Sequence, residues 1–419
     1  MDAMNTKVNR NTTSHRLLLG RASYAFLIMA VYLLGRTIPI PWVVPAVTDT
    51  QDGIQGLVIS ILGSSRDKTS IFSLGLMPWI ASMVVVQVFQ HLTKDRKEKR
   101  SQARANWVML ILAACIAMLQ AWMNAGEMEY RDVPGIGHET LQVLTTLMLI
   151  AGSFIIKWLS DRNTQWGIGG QGLLIVINTL GSLAKMVTSY LATAFLTGAV
   201  KGLAIKLLVG ALGCFAIILV MLFMEGAEFR TTVRRVMINN QYAEQDYVAI
   251  RLNPVGTMPV MYVMSIFTVP YYVLKLLDHL MPGQAWIQAG LRNLNLNTGT
   301  GVVIFGVILW LLTMALAAIF VQPGEIAQTL QRQGDYLEGF EPGEPTARHL
   351  KRQTRIAAIL SAAVASVLVL PMLYLHARWG SFSSFYTLPM TVMILVGMVM
   401  SILEELKVYG TMEQYRMFL

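Results

Sequence analysis

Residues that commonly perform chemistry are few in this chain, and they are not grouped. Two cysteines, Cys115 and Cys214, each lie within an apolar run, which favours buried thiols over a disulfide or a metal site. The sequence has no His-x-x-His pair, cysteine cluster or carboxylate cluster for a metal, and no Walker A loop for a nucleotide. Six histidines lie outside the apolar runs or near their ends: His15, His91, His138, His279, His349 and His376. We therefore expect neither an enzyme nor a bound metal or cofactor.

One lysine is unusual because it lies within an apolar stretch. A charged side chain at the bilayer centre costs roughly 2.5–3.5 kcal/mol on insertion scales, and ion-coupled transporters accept that cost for coupling. Lys185 is the candidate for such a role, although a lysine can also extend its amine to the membrane surface. A secondary transporter built from inverted repeats therefore stands as the alternative to a passive channel.

The composition is that of a membrane protein. Hydrophobic residues make up 54% of the 419 residues and charged residues only 14%. Ordinary soluble proteins carry about 25% charged residues, so this chain has too few charges to cover a water-facing surface of its size. A soluble multidomain enzyme, a disordered chain and a nucleic-acid-binding domain are excluded on this ground.

Ten apolar runs are long enough to cross a bilayer, which needs about 20 residues per helix. They define an all-α polytopic fold with two halves of five spans, residues 1–202 and 203–419, that run in opposite senses. The runs, numbered as spans 1–10, are 17–40, 71–92, 106–126, 140–160, 169–196, 203–224, 256–280, 300–322, 356–376 and 387–409.

Basic residues give the orientation of these spans. Most of the 33 lysines and arginines fall in the termini and in the loops on one side of the predicted topology. Because cytoplasmic loops are enriched in lysine and arginine, we expect both termini in the cytoplasm and the chain in the cytoplasmic membrane. Two long polar segments on that side, about 225–255 and 323–355, are predicted to dock a soluble partner.

A short apolar run lies between spans 1 and 2, and it is too short to cross a bilayer. It is part of a segment at about 54–68 that reads either as an amphipathic outer loop or as a half-helix dipping into a cavity. Backbone of this kind is tolerated at depth only inside protein or beside water.

Several motifs, in order along nearly the whole chain, resemble those of the SecY family, the channel subunit of the protein translocase. The matching segments are Ser70–Ile80 at span 2, Trp166–Gly169 at span 5, Leu252–Pro259 at span 7, Pro323–Arg355 in the last long loop and Val396-Gly397 in span 10. The resemblance implies a passive channel for unfolded preprotein in the lipid membrane. It also implies a SecA-type motor ATPase and a small SecE-type membrane subunit as partners.

Departures from the family pattern point to a subgroup. Glu341 stands where the family commonly has arginine, and an extra residue interrupts the Gly-Ile-Gly-Asn-Gly pattern at Gly167–Gly172. Arg234–Ile238 also departs from the usual basic pattern. The chain therefore looks like an accessory SecY paralogue of Gram-positive bacteria, which implies export of serine-rich glycoproteins with accessory Sec proteins. Housekeeping SecY is the alternative within the family.

The resemblance also implies roles for individual residues. An apolar pore ring is expected to hold back ions and water: Leu76, Ile80, Leu173, Ile177, Met261 and Ile394. The segment at 54–68 becomes a plug that rests on the ring through Gly56, Leu57, Ile59 and Leu62.

Two further sets complete the predicted sites. A lateral gate between spans 2 and 3 on one side and spans 7 and 8 on the other is expected to carry Gln87 and Asn106 as hydrogen-bonding residues. Four arginines of the long loops are predicted to dock the motor: Arg234, Arg235, Arg348 and Arg352.

Overall fold

The computed structural model describes residues 2–44, 69–93, 102–132, 134–196, 203–235, 246–379 and 386–415. Each of the ten predicted apolar runs overlaps a helix in these ranges. Spans 1–7 are helices α1–α7, and spans 8, 9 and 10 are α9, α11 and α12. The bounds are α1 Asp2–Thr37, α2 Met77–Thr93, α3 Gln102–Gly126, α4 His138–Trp166, α5 Gly170–Leu196, α6 Leu203–Gly226, α7 Met258–Leu280, α8 Ala285–Asn293, α9 Gly299–Val321, α10 Pro323–Gln333, α11 Glu344–Trp379 and α12 Leu388–Tyr415.

Eight helical segments of the described chain are long and apolar enough to span a membrane. They lie in α1, α3, α4, α5, α6, α7, α9 and α11, and α2 adds a shorter apolar stretch, Met77–Gln90. The prediction of a multi-pass helical membrane protein is therefore confirmed.

A small β-sheet, which the all-α prediction lacked, lies among these helices. Its strands are β1 Glu228–Arg235, β2 Tyr247–Arg251 and β3 Asp335–Leu337, in the antiparallel order β2-β1-β3. Both predicted long loops thus supply strands to one sheet. A buried cluster that includes Ile250, Leu337 and Leu350 packs this sheet against α10 and the start of α11. We call β1–β3, α10 and the first turns of α11 the sheet module.

Two sets of contacts hold the two halves together. On one side α2 and α3 pack against α7, and on the other α5 and α1 pack against α12. One large apolar cluster, which includes Ile80, Ile175, Met261 and Ile394, joins side chains of both halves.

The segment leading into α2 is fixed against the middle of α4. Residues 71–76 form turns, so the helix begins at Met77 rather than at residue 71 as predicted. The indole N–H of Trp79 donates to Ser153 Oγ at 3.2 Å, and that hydroxyl donates to the Gly75 carbonyl at 3.1 Å. Gly152 lies so close that a Cβ added there would be 2.1 Å from the Ile71 carbonyl oxygen. These contacts set the position of the first turn of α2.

We predict that Gly152→Ala destabilises the protein although alanine is the better helix former. The added methyl group must displace the Ile71 backbone, and overpacking of this kind typically costs about 1–3 kcal/mol. The measurement is the thermal unfolding midpoint of the purified protein in detergent, which should fall. Gly210→Ala in α6 is the matched control, because no atom lies within 4 Å of its added Cβ. Its midpoint should stay unchanged or rise, and an equal response of both variants would contradict the prediction.

Candidate functional site

Four of the six predicted ring residues lie together in the apolar cluster between the halves. Leu76 lies just before α2, Ile80 in its first turn, Met261 on α7 and Ile394 on α12, and each is at most 2% exposed. The backbone N–H of Ile80 donates to the Leu76 carbonyl at 3.1 Å, so the two residues are joined by the first helical hydrogen bond of α2. The structure therefore closes the centre of the molecule with aliphatic side chains and a methionine.

The two ring residues predicted on α5 lie differently. Leu173 and Ile177 are half-buried, whereas Ile175 is almost fully buried, belongs to the central cluster and lines the cavity beside it. The turn that opens α5 contains two consecutive glycines with positive φ, Gly169 at 76° and Gly170 at 44°. Left-handed residues of this kind change the rotational phase of the helix that follows, so the spacing from the Gly-Ile-Gly motif did not fix which face of α5 points inward.

A cavity of about 330 Å³ adjoins the central cluster on the side of the sheet module. Its apolar wall includes Met83 of α2, Ile175 of α5, Met261 of α7 and Met398 of α12, so both halves contribute. Methionine side chains are flexible and adapt to varied contacts. This wall is suited to a segment of polypeptide without a fixed sequence.

The other end of the cavity is charged. Glu225, Glu404 and Glu405 line it together with Arg251. The guanidinium of Arg251 contacts Glu404 Oε1 at 2.7 Å, and this hydrogen bond is the main cause that raises the pKa of Arg251. The arginine therefore keeps its charge, and its partner carboxylate is held in place.

The predicted gate residues do not bridge the two halves in the part of the chain that the structure describes. Asn106 is exposed, and Gln87 has a buried Oε1 atom without a hydrogen-bond partner among the described residues. Polar contacts between α7 and the α2–α3 side come from other residues, which the sequence reasoning missed.

Polar contacts among the described residues cross this interface. Ser265 Oγ donates weakly to Met77 Sδ at 3.6 Å, and Tyr272 OH donates to Asn124 Oδ1 at 3.1 Å. Lys275 forms an ion pair with Glu127, and the two side chains are 23% and 29% exposed. A signal was present in the sequence, since a lysine near the end of span 7 and a glutamate directly after span 3 fall at the same membrane surface in the predicted topology.

The predicted docking arginines belong to the sheet module. Arg234 of β1 is exposed and pairs with Glu338 at 2.5 Å, while Arg348 on α11 is exposed and pairs with Glu344 at 3.1 Å. Arg352 is exposed one turn further along α11. For Arg235 the structure describes only the backbone, which pairs with Asp335 of β3. Hydrogen bonds between Thr231 and Gln353 connect β1 to α11, so these arginines share one folded unit.

Two predictions remain, the plug segment and the intramembrane lysine. The plug residues Gly56, Leu57, Ile59 and Leu62 lie outside the described residues. Lys185 is exposed on α5 rather than buried among the helices. Among the described residues, no group of three or more histidine, cysteine or carboxylate side chains is arranged to hold a metal.

Comparison with known proteins places this geometry in a family. The SecY family model matches residues 70–403. A curated relative from Streptococcus gordonii, the "Accessory Sec system protein translocase subunit SecY2", is 27% identical over 95% of this chain and 97% of its own length. The protein of the same name from Streptococcus oralis (strain Uo5) is 28% identical over 93% of this chain and 95% of its own length.

Solved structures agree on the fold. One described as "The structure of a protein conducting channel" superposes with a TM-score of 0.69 at 15% identity, covering 94% of this chain and 93% of that one. A second, "Sec61 in the Canine ribosome-channel complex from the endoplasmic reticulum", gives a TM-score of 0.63 at 14% identity, over 94% of this chain and 93% of its own. Since the family model covers most of the chain, including α2, α5, α7 and α12 around the apolar cluster, this protein belongs to the SecY family.

Proposed function

We propose that this chain is the channel subunit of a preprotein translocase, and that it passively conducts unfolded secreted polypeptide across the cytoplasmic membrane. The observation that carries this proposal is the apolar cluster at the boundary of the two halves, next to a cavity large enough for part of a peptide. Residues of α2, α5, α7 and α12 meet there, so a relative movement of the halves would open a path between them.

Apolar side chains suit this task for a physical reason. A ring of charges would attract ions and would hold a polar chain as it passes. A narrow apolar constriction excludes water and ions by dewetting, and its side chains can part around any sequence. Leu76, Ile80, Met261 and Ile394 provide such a constriction from two opposing sides. The sequence has no nucleotide-binding loop, so the energy for transport must come from a partner.

The proposed topology has ten membrane crossings, two inverted halves and both termini in the cytoplasm. One contact supports the placement of the termini on the same side. Arg21, near the start of span 1, lies over the ring of Tyr409, near the end of span 10, at 4.3 Å from its centroid. The segment at about 54–68 is proposed to plug the channel from the other side.

The proposed partners follow from the sheet module and from the relatives. Its exposed arginines offer a docking surface to a SecA-type motor, and a small SecE-type subunit is proposed to flank the helices. The relatives named as accessory Sec subunits support an accessory system over housekeeping SecY. We infer that the cargo is a narrow set of serine-rich glycoproteins and that accessory Sec proteins assist their export.

The seal can be tested by making it polar. We predict that Ile80→Ser together with Ile394→Ser raises the resting ion conductance of the channel in planar bilayers, because hydroxyl groups favour water in the constriction. Leu219→Ser in α6 is the control, since Leu219 is 51% exposed and lies away from the cluster. A resting conductance equal to that of the control would contradict the seal.

The same recording identifies the face of α5 that lines the pore. If Ile175 contributes to the seal, Ile175→Ser raises the conductance and Ile177→Ser does not. The reverse result would restore Leu173 and Ile177 as the α5 members of the ring. The two positions lie on the same helix and carry the same residue type, which makes them a matched pair.

The ion pair between α7 and α3 gives a test of the lateral gate. We predict that Lys275→Met or Glu127→Gln increases export of a cargo whose signal segment is only weakly apolar, because less energy is needed to part the helices. A partly exposed pair is worth up to about 1 kcal/mol, so the increase should be at most about fivefold. The charge swap Lys275→Glu with Glu127→Lys should restore the original export, and an unchanged export by both single variants would contradict this role.

Motor docking is tested by charge reversal on the sheet module. We predict that Arg348→Glu with Arg352→Glu weakens binding of the SecA-type motor to proteoliposomes, and that added salt weakens the wild-type complex in the same way because it screens exposed charges. Arg292→Glu is the control, because Arg292 is exposed on α8, which follows the end of α7 that lies opposite to the sheet module. Motor binding that is unaffected by the double reversal would remove these arginines from the docking surface.

A further inference from the structure

Two adjacent carboxylates near the end of α12 contact separate parts of the molecule. Glu405 Oε2 accepts a hydrogen bond from the backbone N–H of Gly169 at 2.8 Å, and Gly169 lies in the turn before α5 in the N-terminal half. Glu404 Oε1 contacts Arg251 Nη1 at 2.7 Å, and Arg251 is the last residue of β2 in the sheet module. One turn of α12 thus joins the N-terminal half to the sheet.

A third contact lies one turn further along α12. The hydroxyl of Tyr409 accepts a hydrogen bond from Arg21 of α1, whose guanidinium also lies over the tyrosine ring. Glu405 and Tyr409 are spaced i,i+4 and share a face of α12. Both side chains on that face bind helices of the N-terminal half, one at α5 and the other at α1. We name these three contacts, Glu404–Arg251, Glu405–Gly169 and Tyr409–Arg21, the α12 clasp.

The contact at Gly169 is close and favourable. The N–H that binds Glu405 belongs to the residue just before α5, where the helix dipole favours a negative charge. Ile402 of α12 is packed so tightly there that a Cβ on Gly169 would be 2.9 Å from its Cγ1 atom. A side chain at position 169 would therefore separate the two helices, and its φ of 76° also favours glycine.

The contact at Arg251 connects α12 to a rigid element. Arg251 is paired with Glu228 in the register of β1 and β2, and β1 is in turn paired with β3. Because Arg234 lies in β1 and Gln353 on α11 bonds to Thr231 of β1, the docking arginines and Arg251 belong to one hydrogen-bonded unit. A displacement of that unit by a bound partner would reach Glu404 directly.

The clasp lies far from the contacts on the gate side. Tyr272 and Lys275 are near the end of α7 that points away from the sheet module, whereas Glu404 and Glu405 lie beside that module. The α12 side of the molecule is therefore held at the sheet end, and the α7 side is held at the opposite end. Parting of the halves on the α7 side must break the contacts of Tyr272 and Lys275, and the clasp can stay intact while it does.

We propose that Glu404 and Glu405 are positioning residues that transmit docking of a cytoplasmic protein motor on the sheet module to the apolar seal. Glu404 receives the displacement from Arg251, and Glu405 passes it to the start of α5. Helix α12 carries Ile394 of the seal, and α5 carries Ile175. This inference rests on the proposed translocase function, because it requires a motor that binds the sheet module.

The test compares Glu405→Ala and Glu404→Ala with Glu139→Ala, which removes an exposed carboxylate from the first turn of α4, outside both the clasp and the sheet module. Each full-length protein is reconstituted in proteoliposomes with the SecA-type motor. We expect motor affinity within about twofold of wild type, and transport per bound motor reduced by about tenfold, the factor for losing a charge-assisted hydrogen bond of about 1.4 kcal/mol. Glu405→Gln, which keeps an acceptor oxygen, should fall between wild type and Glu405→Ala, and Glu139→Ala should match wild type.

A charge swap separates transmission from simple stability. Arg251→Glu with Glu404→Arg should restore transport relative to either single variant. Transport by Glu404→Ala and Glu405→Ala equal to that of Glu139→Ala would overturn the proposal. Loss of motor binding or of thermal stability in parallel with transport would overturn it as well, since a purely structural role predicts that result. If wild-type protein shows no motor-dependent transport, the proposed function fails instead.

Discussion

The structure depends on one interaction, the packing of apolar side chains from both halves of the chain into a single buried cluster. Leu76, just before α2, and Ile80 in its first turn belong to this cluster together with Met261 of α7 and Ile394 of α12. Dispersion and the exclusion of water hold such a contact together, and neither demands a unique geometry. The cluster can therefore be tightly packed and still be separated reversibly.

The polar contacts lie around this centre rather than in it. On the gate side, Tyr272 and Lys275 bind residues at the end of α3. Beside the sheet module, Glu404 binds β2 and Glu405 binds the start of α5. Hydrogen bonds and ion pairs are directional, so they fix where the halves touch. The apolar cluster between them has no such direction. A channel for varied polypeptides requires directional contacts around the apolar cluster and an adaptable packing within it.

The sheet module shows how two polar loop segments can fold into an ordered unit at the end of a helical bundle. Its third strand pairs with β1 across about a hundred residues of sequence, and Ile250 and Leu337 of the sheet are buried together with Leu350 of α11. Arg234 of β1 and Arg348 of α11 stay exposed. A folded base of this kind holds charged residues in a fixed arrangement, and a flexible loop would not.

The sequence by itself determined the helical spans and the family, because span length, charge distribution and local motifs are properties of continuous segments. Leu76, Ile80, Met261 and Ile394, which the family motifs single out as a ring, lie in one buried cluster, and their role as a ring stays a prediction. Only the tertiary structure decided the rest. Which face of α5 points inward depends on two glycines with positive φ at its start. The contacts of Glu404, Glu405 and Lys275 join residues more than a hundred positions apart in the sequence. Contacts between distant segments depend on how the helices pack in three dimensions, and they cannot be predicted from the local periodicity of each segment.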